Sequence, residues 1–214
     1  MKRFDILTIF PHILDSYFQE SLLKKAQAKG LLQITAHNLR DFTDDKHRKV
    51  DDTPYGGGPG MVLKIEPIDR AIQFLKRKIK NEKRTTRTIL FSLRGKLFDQ
   101  KVAHRLSKYD QLIFICGRYE GVDERVADYI ADEEISLGNF ILSGGELGAA
   151  LVIEAVSRLI PGMLGTYGSL EELKGSYAVY TKPEAVKIQG KSRRVPKVLT
   201  SGDHKAIETW RVRH

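Results

Sequence analysis

Cysteine, tryptophan and long apolar runs are all scarce in this sequence. A single cysteine, Cys116, among 214 residues excludes an internal disulfide framework and a cysteine-based zinc cluster. No stretch approaches the roughly 18 consecutive apolar residues of a membrane-spanning helix, and the opening MKRFDILTIFPH has too short an apolar run for a signal peptide. We therefore expect a cytoplasmic protein in a reducing compartment, with no membrane association.

The signatures of several enzyme classes are also missing. The histidines show no paired metal-ligand spacing, and no G-x-S-x-G nucleophile elbow is present. The glycine runs lack the Gly-Lys-Ser/Thr ending of a phosphate-binding P-loop, and no G-x-G-x-x-G is followed by an acidic residue about 20 positions on. These absences argue against a metal site, a serine hydrolase, a phosphate-binding P-loop and a dinucleotide-binding enzyme.

Positive charge, in contrast, is abundant. The formal net charge is +9, from 36 Lys and Arg against 27 Asp and Glu. A basic surface favours a polyanionic partner such as nucleic acid, although a basic surface kept for solubility remains the alternative. One basic cluster consists of Lys76, Arg77, Lys78, Lys80, Lys83, Arg84 and Arg87. The second, which is the better RNA-contact candidate, consists of Lys187, Lys191, Arg193, Arg194 and Lys197.

The apolar pattern predicts an α/β fold. β-compatible runs alternate with segments of helical periodicity, which indicates a parallel sheet with helices on both faces. The expected strands span 4–10, 31–36, 88–93, 111–116 and 134–142, and the expected helices span 14–30, 67–80, 99–108, 123–130, 146–160 and 203–213. Residues 166–176, rich in glycine, serine and acidic residues, predict a linker before a small C-terminal unit.

Three glycine-containing motifs are candidate functional sites. DDTPYGGGPGM at 51–61 is poorly suited to regular structure, which is compatible with a loop that orders over a substrate and, by itself, also with a plain connecting loop. CGRYEGVDERV at 116–126 follows an expected strand, where α/β folds bind ligands, although its charged residues suit surface ion pairs equally well. In SGGEL at 143–147, Ser143 and Glu146 have the spacing of a helix capping box, while the amides of Gly144 and Gly145 suit a polar ligand group.

A fourth candidate lies on the helix that follows. Glu154 and Arg158 are four residues apart, with the acidic residue first, which by itself predicts an exposed helical ion pair.

Read together, these motifs resemble one family almost from end to end. The matching blocks are DDTPYGGGPGM at 51–61, CGRYEGVDERV at 116–126, SLGNFILSGGEL at 136–147, SRLIPGMLG at 157–165, YTKP at 180–183 and VPKVLTSGDHKAIETWR at 195–211. In their order and spacing they resemble the bacterial tRNA (guanine-N1-)-methyltransferases of the SPOUT superfamily.

The resemblance implies a fold and an assembly. It implies a SPOUT α/β fold with a deep C-terminal trefoil knot, and an obligate homodimer with active sites at the subunit interface. The implied domains are a knotted methyltransferase domain at 1–165, a flexible linker at 166–178 and a small, shortened helical tRNA-binding domain at 179–214.

The resemblance also implies an activity: transfer of a methyl group from S-adenosylmethionine to N1 of the guanosine 3′ of the anticodon, position 37 of tRNA. The implied cofactor-binding residues are Ser92, Gly95, Gly117, Tyr119, Glu120, Leu137, Gly138, Phe140, Leu142, Gly144 and Gly145. The implied RNA-binding residues are His47, Asp51, Tyr55, Gly58 and Gly60. Arg158 matches an arginine essential for activity, which replaces the ion-pair interpretation.

The sequence departs from the family pattern at several positions. Leu93 stands where a proline is usual, Asn139 and Phe140 replace Asp and Tyr, and Gly148 replaces a common proline. An ungapped count places Leu173 at the position of the aspartate thought to take the guanine proton. Glu172 is therefore our candidate general base, and a catalytically impaired relative that binds cofactor and RNA without methylating is the alternative function.

Overall fold

The structure is a computed structural model that describes residues 1–77, 84–164 and 177–213. It divides into two compact units, Met1–Leu164 and Gly165–His214. The first unit contains β1 (Lys2–Thr8), α1 (Asp15–Phe18), α2 (Ser21–Ala28), β2 (Leu32–Asn38), a 3-10 turn (Leu39–Phe42), β3 (Asp51–Asp52), β4 (Val62–Leu63), α3 (Ile65–Arg77), β5 (Thr86–Leu97), α4 (Gln100–Ser107), β6 (Gln111–Ile115), α5 (Arg125–Tyr129), β7 (Glu133–Ser136) and α6 (Glu146–Ser157). The second contains β8 (Ala185–Ile188), β9 (Lys191–Arg194), α7 (Lys197–Thr200) and α8 (His204–Arg213).

A five-stranded sheet forms the centre of the first unit. Its strand order is β2-β1-β6-β5-β7, and every neighbouring pair is parallel. All five residues of β6 are buried, as expected of a central parallel strand covered on both faces. The predicted α/β fold with a parallel sheet is therefore confirmed.

Helices cover both faces of this sheet and create two apolar clusters. On one face, Phe4 and Phe114 pack with side chains of α2, α4 and α6. The Phe114 ring stacks between those of Phe4 and Phe91, at centroid distances of 6.4 and 5.9 Å. On the other face, side chains of α3 and α5 cover Leu7 and Ile113. Both faces of the sheet are therefore buried under apolar side chains.

The edge pair β5–β7 is irregular. Ile135 of β7 pairs first with Phe91 and again with Lys96, so the intervening residues of β5 bulge away from the sheet. A Cβ atom at Gly95 would lie 2.6 Å from the backbone of Glu134 and Ile135. Only glycine allows the chain to return this close to β7.

Several predicted boundaries differ from the structure. The single helix expected at 14–30 is two helices, because Ser21 has a φ of 51°. The strand expected at 134–142 ends at Ser136, since the chain turns at Gly138 with a φ of 145°. The helix expected at 146–160 ends at Ser157. The linker expected at 166–176 lies outside the described residues.

The C-terminal unit was expected to be helical. It has two helices, but it also contains the antiparallel hairpin β8–β9, which turns at Gln189 and Gly190. Both turn residues have positive φ, 49° and 75°, as a two-residue hairpin turn requires. The second basic cluster thus lies on a β-hairpin and on α7.

Within the described ranges, no helix combines the length and apolar character needed to cross a membrane.

Candidate functional site

A cavity of about 440 Å³ lies at the carboxyl edge of the sheet. Residues of β5 and β7 and the segments that follow β6 and β7 line it. This is the edge at which open α/β sheets bind their ligands, because the strand ends and loops leave a crevice there. The volume falls in the range of roughly 300–1,000 Å³ that is typical of small-molecule sites.

The structure brings almost all of the predicted cofactor residues to this cavity. Its lining includes Ser92, Gly117, Tyr119, Glu120, Leu137, Gly138, Phe140, Leu142, Gly144 and Gly145. Gly95 is the exception, because it packs against the backbone of β7 instead of lining the cavity. Sequence reasoning did not single out Phe91, Glu124, Glu134 and Ile135, which also line it.

Glycine backbone forms one wall of the cavity. The amide of Gly145 donates a hydrogen bond to the carbonyl of Gly117 at 3.1 Å. A Cβ atom at Gly145 would lie 2.8 Å from the Cα of Cys116, so a side chain there would push the two segments apart. Tyr119 has a φ of 61°, an unfavourable value for a bulky residue that is characteristic of constrained functional sites.

Charged residues flank the cavity, and two of them, Arg118 and Glu146, pair differently from the predictions. The capping-box prediction is wrong: Gly145 occupies the N-cap of α6 without a side-chain hydrogen bond. The buried Glu146 carboxylate instead accepts hydrogen bonds from Thr8 and Arg118. Arg118 therefore belongs to an interior ion pair and not to an exposed one. Its distance in sequence from Glu146 explains why local spacing did not reveal the pair.

Two further ion pairs lie at the cavity. Arg94 donates two hydrogen bonds to the Glu124 carboxylate, at 2.7 and 2.8 Å. Asp123 accepts from Arg125 at 2.6 Å, and the hydrogen bond from this guanidinium lowers the pKa of Asp123. Both pairs are at least partly exposed to solvent, so each contributes little to stability.

The one cysteine lies directly behind the glycine wall. Complete burial, followed by the nearby Glu146 carboxylate, raises the pKa of the Cys116 thiol well above its ordinary value. A thiol in this environment stays protonated at neutral pH, which makes it a poor nucleophile. The arrangement therefore gives no support to covalent catalysis by cysteine.

The glycine-rich loop borders the cavity through its C-terminal end. The amide of Glu120 donates to the carbonyl of Met61, and the amide of Leu63 donates to that of Gly121, both at 3.0 Å. Gly60 packs against the Glu120 side chain, where a Cβ atom would lie 2.5 Å from it. The loop is thus joined by backbone hydrogen bonds to the segment that lines the cavity.

The other residues predicted to bind RNA include one strand residue and two exposed side chains. Asp51 is half-buried in β3 and pairs with Leu63 of β4. His47 is exposed, and the Tyr55 side chain is fully exposed. None of the residues predicted to bind RNA lines the cavity itself.

Arg158 also lies away from the cavity. It is the C-cap residue of α6, whose N-terminus contacts the cavity, so about 18 Å of helix separates the two. Among the described residues no ion pair joins Arg158 to Glu154, whose carboxylate accepts a 3.4 Å hydrogen bond from the Tyr17 hydroxyl. The spacing-based prediction of an ion pair is therefore wrong. Glu172 and Leu173 lie outside the described residues.

An exposed apolar face was not predicted from the sequence. It comprises Phe10, Ile13, Tyr17, Leu147 and Leu151, each between 46 and 61% exposed. The hydrogen bond between Tyr17 of α1 and Glu154 of α6 joins these two helices. Exposed apolar side chains of this kind are suited to contacts with another protein surface.

Comparisons with known proteins identify the family of the chain. The sequence model of the family described as tRNA (Guanine-1)-methyltransferase TrmD matches residues 1–214. Curated relatives named tRNA (guanine-N(1)-)-methyltransferase include one from Dictyoglomus turgidum, 50% identical over 99% of this chain and 84% of its own length. Another, from Carboxydothermus hydrogenoformans, is 48% identical over 98% of this chain and 81% of its own.

A solved structure is similar over the whole chain. It is the crystal structure of tRNA (m1G37) methyltransferase from Aquifex aeolicus, with 44% sequence identity and a TM-score of 0.79. The match covers 100% of this chain and 88% of that one. Together with the cavity and its glycine wall, these matches show that the chain belongs to the tRNA (guanine-N1-)-methyltransferase family.

Proposed function

We propose that this protein transfers a methyl group from S-adenosylmethionine to N1 of guanosine 37 in tRNA, next to the anticodon on its 3′ side. The observation that carries the proposal is the cavity at the carboxyl edge of the sheet, lined by the glycine motifs that this family shares. The similar Aquifex aeolicus protein is named for its m1G37 product, which supports the position of the target base.

The cavity suits the chemistry of S-adenosylmethionine. Phe91, Ile135 and Leu137 offer apolar surface to an adenine ring. The Glu120 carboxylate, on the opposite segment, suits a cationic group. The bound cofactor supplies a methyl group already activated by its sulfonium centre. The protein therefore has to bind, align the reactants and help the guanine lose its N1 proton.

We infer that the segments around this cavity form the deep trefoil knot of the SPOUT fold. The return of β5 to pair twice with Ile135 supports this inference. So does the hydrogen bond from Gly145 to Gly117, which ties the segment after β7 to the one after β6.

We infer that the active enzyme is a homodimer. Arg158, the proposed catalytic arginine, does not line the cavity of its own chain. A second copy can supply it, and the apolar face of Phe10, Ile13, Tyr17, Leu147 and Leu151 offers a surface for that contact. In this arrangement Arg158 would lie near the guanine oxygen and stabilise the charge that develops there.

RNA binding is divided between two parts of the chain in this proposal. His47, Asp51, Tyr55, Gly58 and Gly60 lie on or near the loop next to the cavity and contact the target base and its neighbours. The unit at 179–214 contacts the tRNA backbone with its basic side chains.

We propose Glu172 as the general base, because an apolar Leu173 stands at the aspartate position and cannot accept a proton. Glu172→Gln should lower the transfer rate while leaving tRNA and cofactor affinity unchanged. The pH profile of the rate should also lose the step that ionisation of a carboxylate produces. The measurement is single-turnover transfer as a function of pH. A variant with the parent rate at every pH would show that Glu172 is not the base.

The rival function, binding without methylation, is favoured by Leu173 alone. Transfer of labelled methyl groups to a tRNA transcript with G37 separates the two, with an A37 transcript as the matched control. We expect N1-methylguanosine in the first product and no label in the second. If the protein binds S-adenosylmethionine and tRNA but labels neither transcript, the rival function is correct.

A further inference from the structure

Three side chains from distant parts of the chain meet at the cavity wall, and one of them, Arg118, also lines the cavity. Glu146, the first residue of α6, is 2% exposed. Its Oε1 accepts a hydrogen bond from the Thr8 hydroxyl at 2.6 Å and another from Arg118 Nε at 3.1 Å. Its Oε2 meets Arg118 Nη2 at 2.9 Å in an ion-pair contact that lacks hydrogen-bond geometry. The contacts join the end of β1, the segment after β6 and the start of α6.

The ion pair lies directly against backbone that lines the cavity. A Cβ atom at Gly144 would be 2.3 Å from Arg118 Nε and 2.6 Å from Glu146 Oε2. Arg118 itself lies between Gly117 and Tyr119, and its guanidinium also stacks over the Phe10 ring at 4.9 Å. The pair is thus in contact with both cavity segments, 117–121 and 143–145.

The energetics do not favour a purely stabilising role. Taking two charges out of water costs several kcal/mol, so a buried ion pair often contributes no more to stability than apolar residues of the same size. A buried ion pair does fix the relative positions of its two residues, because each charge needs the other close by to compensate it. Here those positions set the separation of the two glycine segments.

We propose that Arg118 and Glu146 are positioning residues, which hold segments 117–121 and 143–145 at the separation that the cofactor site requires. This inference rests on the proposed function, since it takes S-adenosylmethionine as the ligand of the cavity. Neither residue reacts; each acts through the backbone of its glycine neighbours. Thr8 orients the carboxylate toward Arg118, and its Oγ1 also accepts a hydrogen bond from the amide of Phe10 at 3.0 Å.

The test uses single and double variants of the full-length protein. Arg118→Met and Glu146→Gln each remove the charge pairing while nearly preserving volume. We expect each to weaken S-adenosylmethionine binding, measured by calorimetry, at least roughly tenfold, because displacements of about 1 Å in a supporting shell cost this much or more. The double variant should bind no more weakly than either single variant, since both remove the same connection.

A readout without cofactor separates positioning from direct contact. Hydrogen exchange of the amides in 116–121 should be faster in Arg118→Met and Glu146→Gln than in the parent, before any ligand is added. Arg118→Lys keeps the charge without the two-pronged contact and should recover part of the lost affinity.

The control is Arg105→Met, which breaks a partly buried ion pair with Glu133, the first residue of β7; neither residue lines the cavity. It should lower the melting temperature while leaving S-adenosylmethionine affinity within about twofold of the parent. If Arg118→Met does not fold, the nearly isosteric Glu146→Gln decides the question. Parent-like affinity and exchange in Glu146→Gln would overturn the inference. A parent that does not bind S-adenosylmethionine would overturn the proposed function and this inference with it.

Discussion

The two units of this chain are ordered by different forces. In Met1–Leu164, two apolar clusters enclose a parallel sheet, and many side chains are fully buried. In residues 177–213 no side chain is buried. Order there comes from a short hairpin and from aromatic contacts, such as Tyr180 with Trp210 at 6.2 Å and Arg211 over Tyr177 at 4.8 Å.

Most of the net positive charge, in contrast to the buried apolar side chains, belongs to the second unit. Residues 177–213 carry nine Lys or Arg against three Asp or Glu, a surplus of six out of the total of +9. A cofactor site needs groups fixed within a fraction of an ångström, which packing provides. Phosphate contacts need positive charge and tolerate looser geometry. We therefore propose that the first unit carries out the chemistry and that the second provides most of the tRNA affinity.

The strongest test of this assignment is Arg158→Ala. If chemistry belongs to the first unit, the substitution should reduce methyl transfer by roughly a hundred- to a thousandfold or more, as removal of a charge-stabilising donor does. The affinities for tRNA and S-adenosylmethionine, the melting temperature and the oligomeric mass should stay near the parent values. Single-turnover transfer and calorimetry measure these quantities.

Arg105→Ala is the control for loss of an arginine from the same unit, and it should keep the parent transfer rate. Full activity of Arg158→Ala would remove Arg158 from the catalytic assignment. Loss of tRNA binding in that variant would place part of the RNA affinity in the first unit.

The sequence was most informative where structure is local and apolar. The strand Gln111–Ile115 and the helix Gln100–Ser107 lie almost where periodicity placed them. The Asp99 carboxylate caps that helix by accepting a 2.8 Å hydrogen bond from the amide of Val102. The glycine motifs also indicated the correct edge of the sheet. These features are determined by residues close together in the sequence, so the sequence alone predicts them.

Features that depend on distant partners were missed. Ser143 and Glu146 have capping-box spacing, yet Glu146 turns to Arg118, 28 residues away in the chain. Nothing in the pattern around Gly95 shows that β5 returns to pair twice with β7. The hairpin β8–β9 was not predicted because its strands have only four residues each, β9 is entirely polar, and Gln189, not Asn, precedes Gly190 in the turn. The knot and the dimer were implied by resemblance alone.

The next test removes charge from the second unit. Replacing the hairpin residues Lys187, Lys191, Arg193 and Arg194 with Ala should weaken tRNA binding by roughly ten- to a hundredfold. It should also reduce the slope of log affinity against log salt by up to about 3.6, at about 0.7–0.9 for each lost phosphate contact. S-adenosylmethionine affinity should not change. Filter binding over a salt series measures both quantities.

A matched control removes the same number of charges from the first unit, at the exposed positions Lys24, Lys25, Lys29 and Lys101. If the two variants lose tRNA affinity equally, total charge governs binding and the proposed division between the units is wrong.

The smallest expected effect concerns ion pairs, which stabilise the first unit but do not join any two residues within 177–213. Glu133 accepts hydrogen bonds from Arg87 and Arg105 at 2.9 Å each. Burial alone would raise its pKa, but the hydrogen bonds from Arg105 and Arg87 outweigh burial and lower it. The ion-pair contribution is therefore complete above the unfolded-state pKa of about 4.3 and is lost as pH falls through the lower folded-state value.

Glu133→Gln should accordingly reduce the free energy of unfolding by about 1 kcal/mol near neutral pH, the upper end for partly exposed pairs, because the amide lacks the charge at every pH. The difference from the parent should shrink as the pH is lowered below about 4.3. Urea unfolding followed by circular dichroism measures it. Trp210, the one tryptophan, reports on the second unit by fluorescence, and its transition should be the same in both proteins if the units are stabilised separately. A Trp210 transition that moves with Glu133→Gln would show that the two units unfold together, and the contrast between them would then hold for function but not for stability.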